Sequence, residues 1–158
     1  MKHILPAERR GFTLIELLVV IGILAVLLAI TLIAINPARQ FASANNTKRS
    51  SDVNAILNAI DQYAADNKGR LPAGIPDTTA GAAVIGNGTG QVDICAGIVT
   101  TYIAALPVDP LTNNGTPVTD CTAAYNTNYT VVRSTTDNRV TVAAPAAELP
   151  PTVISVTR

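Results

Sequence analysis

The sequence predicts an α+β protein in which one long amino-terminal helix packs on a small antiparallel sheet. Three observations lead to this prediction. Residues 17–35 form a run of 19 uncharged, mostly apolar residues, an apolar stripe of helical period follows them, and β-rich segments come last, between residues 129 and 157. These patterns divide the chain into segments 1–11, 12–35, 36–67 and 68–158.

Composition limits the classes of function. The 158 residues suit one domain of ordinary size, and 11 basic and 11 acidic side chains cancel to a formal charge of zero. A nucleic-acid-binding protein that works through a basic field is therefore not expected. Hydrophobic residues make up 48% of the chain but aromatic residues only 4%, so the apolar content is largely aliphatic.

Residues 12–35 are predicted to form a transmembrane helix. A helix of that length measures about 36 Å, enough to cross a hydrocarbon core of about 30 Å. A cleaved secretory signal is the alternative, because Lys2, Arg9 and Arg10 precede the apolar run. The run is too long for the core of such a signal, and no small-residue cleavage site follows it.

Residues 36–67 are predicted to continue as an amphipathic helix. Five apolar residues recur at helical spacing on one face: Val53, Ile56, Leu57, Ile60 and Ala64. Asn36-Pro37 should interrupt the long helix, because proline lacks the backbone donor and disfavours helical geometry at the preceding residue. The segment Asn67-Lys68-Gly69, with Pro72 beyond it, predicts the end of the helix.

Residues 68–158 should form an α+β head. Segment 77–90 is rich in glycine and threonine and is predicted to be a loop, whereas 96–106 is predicted to be a short helix closed by Pro107. Segments 129–133 and 139–143 should pair as an antiparallel hairpin through a turn at 134–138, and 152–157 is a third candidate strand.

Two cysteines, Cys95 and Cys121, lie in this polar region with no CxxC spacing, and the chain's single histidine is His3. A structural disulfide in an oxidising compartment explains them best, while two unrelated buried thiols remain the alternative. Positive charges flank the apolar run almost equally, so they do not set its orientation. A disulfide would place the head outside the cytoplasm.

Glu16 is a carboxylate inside an otherwise apolar span. Such a group is costly without a partner and often functional, but near the end of a span it can also reach the membrane interface. Position alone favours neither interpretation.

The surrounding segment Arg9-Arg10-Gly11-Phe12-Thr13-Leu14-Ile15-Glu16 resembles the processing signal of type IV pilins and pseudopilins. The resemblance covers about the first 35 residues and implies that residues 1–11 are a leader, which a prepilin peptidase removes by cutting between Gly11 and Phe12. It further implies N-methylation of the new Phe12 terminus. Glu16 would then pair with the terminal amine of a neighbouring subunit during assembly.

This resemblance implies a type IV pilus subunit, polymerised from the inner membrane and serving adhesion, motility or DNA uptake. The alternatives are a pseudopilin of a type II secretion system and a monomeric membrane-anchored binding protein. The implied partners are other copies of the chain, the prepilin peptidase, the assembly machinery and, before assembly, membrane lipid. Nucleic acid is not an expected partner of the subunit itself. The head would lie outside the membrane and later in the extracellular filament.

No enzymatic activity and no cofactor are predicted, because the sequence contains no catalytic triad pattern, phosphate-binding loop or closely paired carboxylates. Asp109, Asn113 and Asn114 could ligate calcium, but an ordinary turn is the favoured interpretation and no metal site is predicted. Four N-x-Thr sequons are expected from composition alone and do not by themselves predict glycosylation.

Overall fold

The computed structural model describes residues 11–150 and 152–158. These residues divide into two compact units, one that ends at Gln40 and one from Phe41 to Arg158. Of the predicted leader, Lys2, His3, Arg9 and Arg10 lie outside the described residues.

The first unit contains helix α1, Leu14–Ile35, of 22 residues. None of its residues is buried, and its mean hydropathy in the most apolar window is 3.2, so it is long and apolar enough to cross a membrane. Asn36 ends the helix in the left-handed conformation, with φ 46° and ψ 78°. The predicted interruption at Asn36-Pro37 is therefore confirmed.

Helix α2, Pro37–Asp66, follows at once. Val53, Ile56, Leu57 and Ile60 are fully buried, which confirms the predicted apolar stripe. After Asp66 the chain turns through Lys68 and Gly69, both at positive φ, and the Gly69 amide donates to the Ala64 carbonyl at 2.7 Å. This bond satisfies one of the carbonyls left free at the helix end.

Four antiparallel strands form one sheet in the order β1-β2-β3-β4. They are β1 (Ala83–Gly86), β2 (Asn126–Arg133), β3 (Val140–Ala144) and β4 (Ile154–Thr157). The predicted hairpin is confirmed with Arg133 opposite Val140, and the third predicted strand is confirmed as β4. One face of the sheet, including Tyr129, Val131 and Val142, joins the stripe of α2 in a common core.

Two local predictions in the head are wrong. Segment 77–90 is not loop throughout, because β1 lies within it and pairs with β2, with Val84 opposite Thr130. The helix expected over 96–106 is limited to α3, Cys95–Ile98. Val99 is already extended and Thr100 has a φ of 69°, and the β-branched run Ile98-Val99-Thr100-Thr101 explains why helical geometry stops there. Further on, Leu106 pairs with Val118 in an isolated bridge.

Candidate functional site

The junction between Gly11 and Phe12 lies outside any regular element. Gly11, Phe12 and Thr13 precede α1, Phe12 is 92% exposed, and no atom would lie within 4 Å of a side chain added at Gly11. A peptide bond in such an open, non-helical segment can be drawn into a protease active site without unfolding a helix.

Thr13 and Glu16 form a capping box at the start of α1. The Glu16 amide donates to Thr13 Oγ1 at 3.2 Å, while the Thr13 amide and hydroxyl each donate to Glu16 Oε2 at 2.8 Å. Two of the amides left free at the helix start are thereby satisfied, and a carboxylate lies in the first turn, where the helix dipole favours it. The spacing Thr13-x-x-Glu16 is a capping-box signal in the sequence, so this local partner of Glu16 was predictable.

The two carboxylate oxygens of Glu16 are not equivalent. Both bonds from Thr13 end on Oε2, and Oε1 accepts no hydrogen bond from the described part of the chain. The side chain therefore helps to fix the helix start while one oxygen remains open to a cationic donor.

The second unit contains a buried cluster of charges, which the sequence analysis missed. Arg49 of α2 is completely buried; its Nε donates to Asp109 Oδ2 at 2.6 Å and its Nη2 to Asp109 Oδ1 at 3.2 Å. Its Nη1 donates to Glu148 Oε2 at 2.8 Å and to Asn46 Oδ1 at 3.0 Å. In the sequence, Arg49 is only one of the positive charges that flank the apolar run, and no local pattern predicts its burial.

These contacts also govern the ionisation of the cluster. The hydrogen bonds that Arg49 donates to Asp109, and after them the one that it donates to Glu148, hold the pKa of Arg49 above its usual range despite its burial. Arg49, aided by Asn45, holds the pKa of the Glu148 carboxyl below its usual range. Arg49 and Glu148 are therefore charged near neutrality, and the cluster ties α2 to the segments around residues 109 and 148.

The surroundings of Asp109 do not suit a calcium site. Both oxygens of Asp109 are occupied by Arg49, and Oδ1 also accepts from the Leu111 amide at 3.0 Å. The Thr112 amide donates to the Asp109 carbonyl and the Gly115 amide to the Thr112 carbonyl, so the segment is a hydrogen-bonded turn. Within residues 11–150 and 152–158, no three His, Cys, Asp or Glu side chains are grouped to hold a metal ion.

The structure joins Cys95 and Cys121 in a disulfide, with their Cα atoms 5.5 Å apart. Cys95 is buried in the core at the start of α3, and Cys121 packs against the same core from the loop before β2. The bond thus links two irregular segments that have few ladder hydrogen bonds of their own.

Comparisons with known proteins agree with this geometry. Residues 7–32 match the family model of the prokaryotic N-terminal methylation motif, which includes the Gly11–Phe12 junction and Glu16. The chain is 33% identical over 108 residues to the type II secretion system core protein G of Escherichia coli (strain K12), an alignment that covers 68% of this chain and 70% of that protein. No solved structure matches the chain significantly.

Proposed function

The chain belongs to the family of type IV pilins and type II secretion pseudopilins, and we propose that it is the structural subunit of a type IV pilus filament. The observation that carries the proposal is the start of α1. An open Gly11–Phe12 junction leads into a capped helix with Glu16 in its first turn, and none of that helix's 22 residues is buried. Such an apolar helix is expected to be surrounded by membrane lipid before assembly and by the same helix of other copies in the filament.

Processing is the first step of the proposed function. A prepilin peptidase cuts between Gly11 and Phe12, and the new amino group of Phe12 is then methylated. The exposure of Phe12 and the absence of helical structure at Gly11 support cleavage at this bond. Residues 12–35 stay with the mature chain as its membrane anchor, with the head of residues 68–158 outside the cytoplasm.

Assembly follows from the chemistry of Glu16. After cleavage, Phe12 of each subunit carries a cationic amine, and a neighbour's Glu16 Oε1 is an acceptor that Thr13 does not occupy. Their pairing neutralises two charges that are costly in an apolar bundle and sets the axial register between subunits. A copy lacking either group enters the bundle with an unpaired charge, so the same pair selects for correct subunits.

The partners of the proposed subunit are membrane lipid before assembly, the prepilin peptidase, the assembly machinery and other copies of the chain. The family consists of structural subunits, and we assign this chain no enzymatic role. Its proposed location is the inner membrane with the head outside the cytoplasm, followed by the extracellular filament.

A second candidate function is that of a pseudopilin in a type II secretion system. The 33% identity to core protein G of such a system favours it. Both candidates use the same processing and the same helix assembly, and they differ in whether the fibre is a long surface appendage or a short secretion device.

Electron microscopy of cells at native expression, labelled for this chain, tests the proposal. A pilus subunit predicts long labelled surface fibres that shearing releases. A pseudopilin instead predicts no surface fibres and a loss of secreted proteins when the gene is deleted. Finding the processed chain only as a membrane monomer, with normal secretion on deletion, would contradict both and favour the monomeric binding protein.

A further inference from the structure

A pocket of about 480 Å³ lies between the segment after α2 and the end of β2. Segment 69–75 forms one wall, and Arg133 and Asn138 from the β2–β3 hairpin form the other. The two walls are held together because the Arg133 amide donates to the Pro76 carbonyl at 2.8 Å. All of these residues belong to the unit Phe41–Arg158.

The charged residues that line this pocket are both basic. Arg70 and Arg133 both line it, and no carboxylate does. Among the described residues, neither arginine has a carboxylate within ion-pair distance, whereas nearby Arg139 pairs with Asp137 at 3.5 Å. Two arginines on the walls of one concave site, with no carboxylate in the pocket lining, favour a negatively charged occupant.

Arg133 adds a more specific observation. Its Nε atom is buried and has no hydrogen-bond partner, the one side-chain nitrogen or oxygen of the described residues in that state. Because Nε is closed to solvent, a ligand in the pocket would be bound by the Nη donors of the same guanidinium. The guanidinium offers its donors in a planar fork that matches the two oxygens of a carboxylate or phosphate.

Asp77, which does not line the pocket, is an acidic residue that acts on Arg133. It lies opposite Arg133 in a β-bridge and attracts it electrostatically, but the two side chains form no ion pair within 4.0 Å, and Asp77 Oδ1 accepts from the amides of Thr79 and Ala80 and from the Thr79 hydroxyl. Asn138, on the same wall as Arg133, has a side-chain amide that makes no hydrogen bond within the described residues and is a further donor.

We propose that Arg70, Arg133 and Asn138 form a binding site for an oxyanion, a phosphate or a carboxylate group. This site is separate from the processing and assembly site at the start of α1, and it does not depend on the proposed filament function. The oxyanion comes either from a small free ligand or from an acidic side chain of a second copy of the chain.

Amide chemical shifts of the full-length isotope-labelled chain in a phosphate-free maltoside detergent test the site. Sodium phosphate and sodium acetate are titrated separately, with sodium chloride keeping the ionic strength constant. A free ligand predicts saturable shifts at the amides of Arg70, Leu71 and Gly74 with one of the two anions. A second copy predicts that the same amides shift on dilution of the protein without added anion.

Variants of single arginines distinguish direct binding by Arg70 and Arg133 from non-specific attraction of anions by the nearby positive charges. Arg133→Gln and Arg70→Gln should each raise the dissociation constant of the bound anion by about tenfold or more, because each removes charge-assisted hydrogen bonds. Arg139→Gln removes the same charge close by without touching the pocket and should leave the effect unchanged. Since Arg70 is exposed, its variant is expected to fold normally even if Arg133→Gln does not.

Two results would overturn the proposal. The first is that neither anion causes saturable shifts at these amides and that their shifts do not depend on protein concentration. An effect that Arg139→Gln reduces as much as Arg70→Gln does would also overturn it, because screening of a diffuse field would then explain the shifts.

Discussion

Arg49 and Asp109, which are 60 residues apart in the sequence, form a two-pronged ion pair in which both side chains are almost completely buried. Arg49 lies on the same helix as the apolar stripe of α2, whereas Asp109 lies in the loop that follows the Leu106–Val118 bridge. The pair therefore fixes on the helix an irregular segment of the head that is also joined to β2, where the Asp109 amide donates to the Thr127 carbonyl at 3.0 Å.

Replacing one member of this pair should destabilise the head strongly. We expect Asp109→Asn or Arg49→Met to lower the free energy of unfolding by about 3 to 5 kcal/mol, because each change leaves a buried charge without its partner. The double variant Arg49→Met/Asp109→Leu should recover much of the loss, since it removes both charges. Urea unfolding followed by the near-ultraviolet circular dichroism of the tyrosines, which all lie in the unit Phe41–Arg158, measures the difference.

Lys48→Met is the matched control for that series. Lys48 pairs with Asp52 at 2.7 Å, but its side chain is 42% exposed, so its loss should change stability by less than about 1 kcal/mol. Equal effects of Lys48→Met and Arg49→Met would contradict the importance of the buried pair.

Acid should weaken the same cluster through Glu148. Arg49 and Asn45 lower the pKa of this carboxyl in the folded chain relative to the unfolded chain. Its ionised form therefore contributes stability above the unfolded value of about 4.3, and this contribution is lost as the pH falls through the lower folded value. The stability difference between wild type and Glu148→Gln should shrink below about pH 4.3. A difference that stays constant from neutrality to acid would show that the charge of Glu148 is irrelevant.

The elements that the sequence predicted well are those with local causes. The break at Asn36-Pro37 follows from the chemistry of proline, and the hairpin from two β-rich runs joined by a short polar turn. Strand β1 was missed because Ala83–Gly86 is short and lies among turn residues, and its pairing partner is supplied by β2 more than 40 residues later. Non-local pairing of this kind overrides the local composition.

The site residues divide in the same way. The proposed processing junction and the proposed role of Glu16 rest on local spacing, and the Thr13–Glu16 capping box has a local sequence signal too. The role of Arg49 could not, because a lysine-arginine pair on a helix is ordinarily solvent-exposed and its two carboxylate partners come from distant loops. Burial of an arginine is decided by the tertiary arrangement.

The disulfide should matter for the head but not for the membrane anchor. Cys95 and Cys121 are separated by 26 residues, and a loop of that size is worth roughly 3 to 4 kcal/mol through its effect on the unfolded chain. Cys95→Ser/Cys121→Ser should lower the urea midpoint while leaving the amount of membrane-inserted chain unchanged, because insertion depends on α1. Reduced membrane insertion in the double variant would contradict this separation.

Processing should leave a mature chain that begins at Phe12 and carries one added methyl group, as intact-mass measurement of the purified protein can show. Gly11→Val should block cleavage, because a β-branched side chain would crowd a protease site shaped for glycine. Gly22→Val, which places the same change inside α1 where no atom lies within 4 Å of an added Cβ, should be processed normally. A mature chain beginning at Met1, or anywhere after Ile35, would rule out the assigned junction.

Glu16→Gln tests the assembly mechanism more sharply than removal of the side chain. The amide oxygen of glutamine can still accept from the Thr13 amide, so the capping box and the start of α1 are retained. The negative charge is lost, however, and the amine of an incoming Phe12 then has no anionic partner. We expect abundant processed monomer in the membrane and little or no sheared filament.

Thr13→Ala is the matched control: it removes the hydroxyl of the capping box at a cost of about 1 kcal/mol but keeps the carboxylate, and it should still assemble. Quantifying membrane monomer and sheared filament separately in both variants gives the answer. Wild-type filament yield from Glu16→Gln would mean that the carboxylate serves the helix start or the membrane interface, and that subunits do not need it to join.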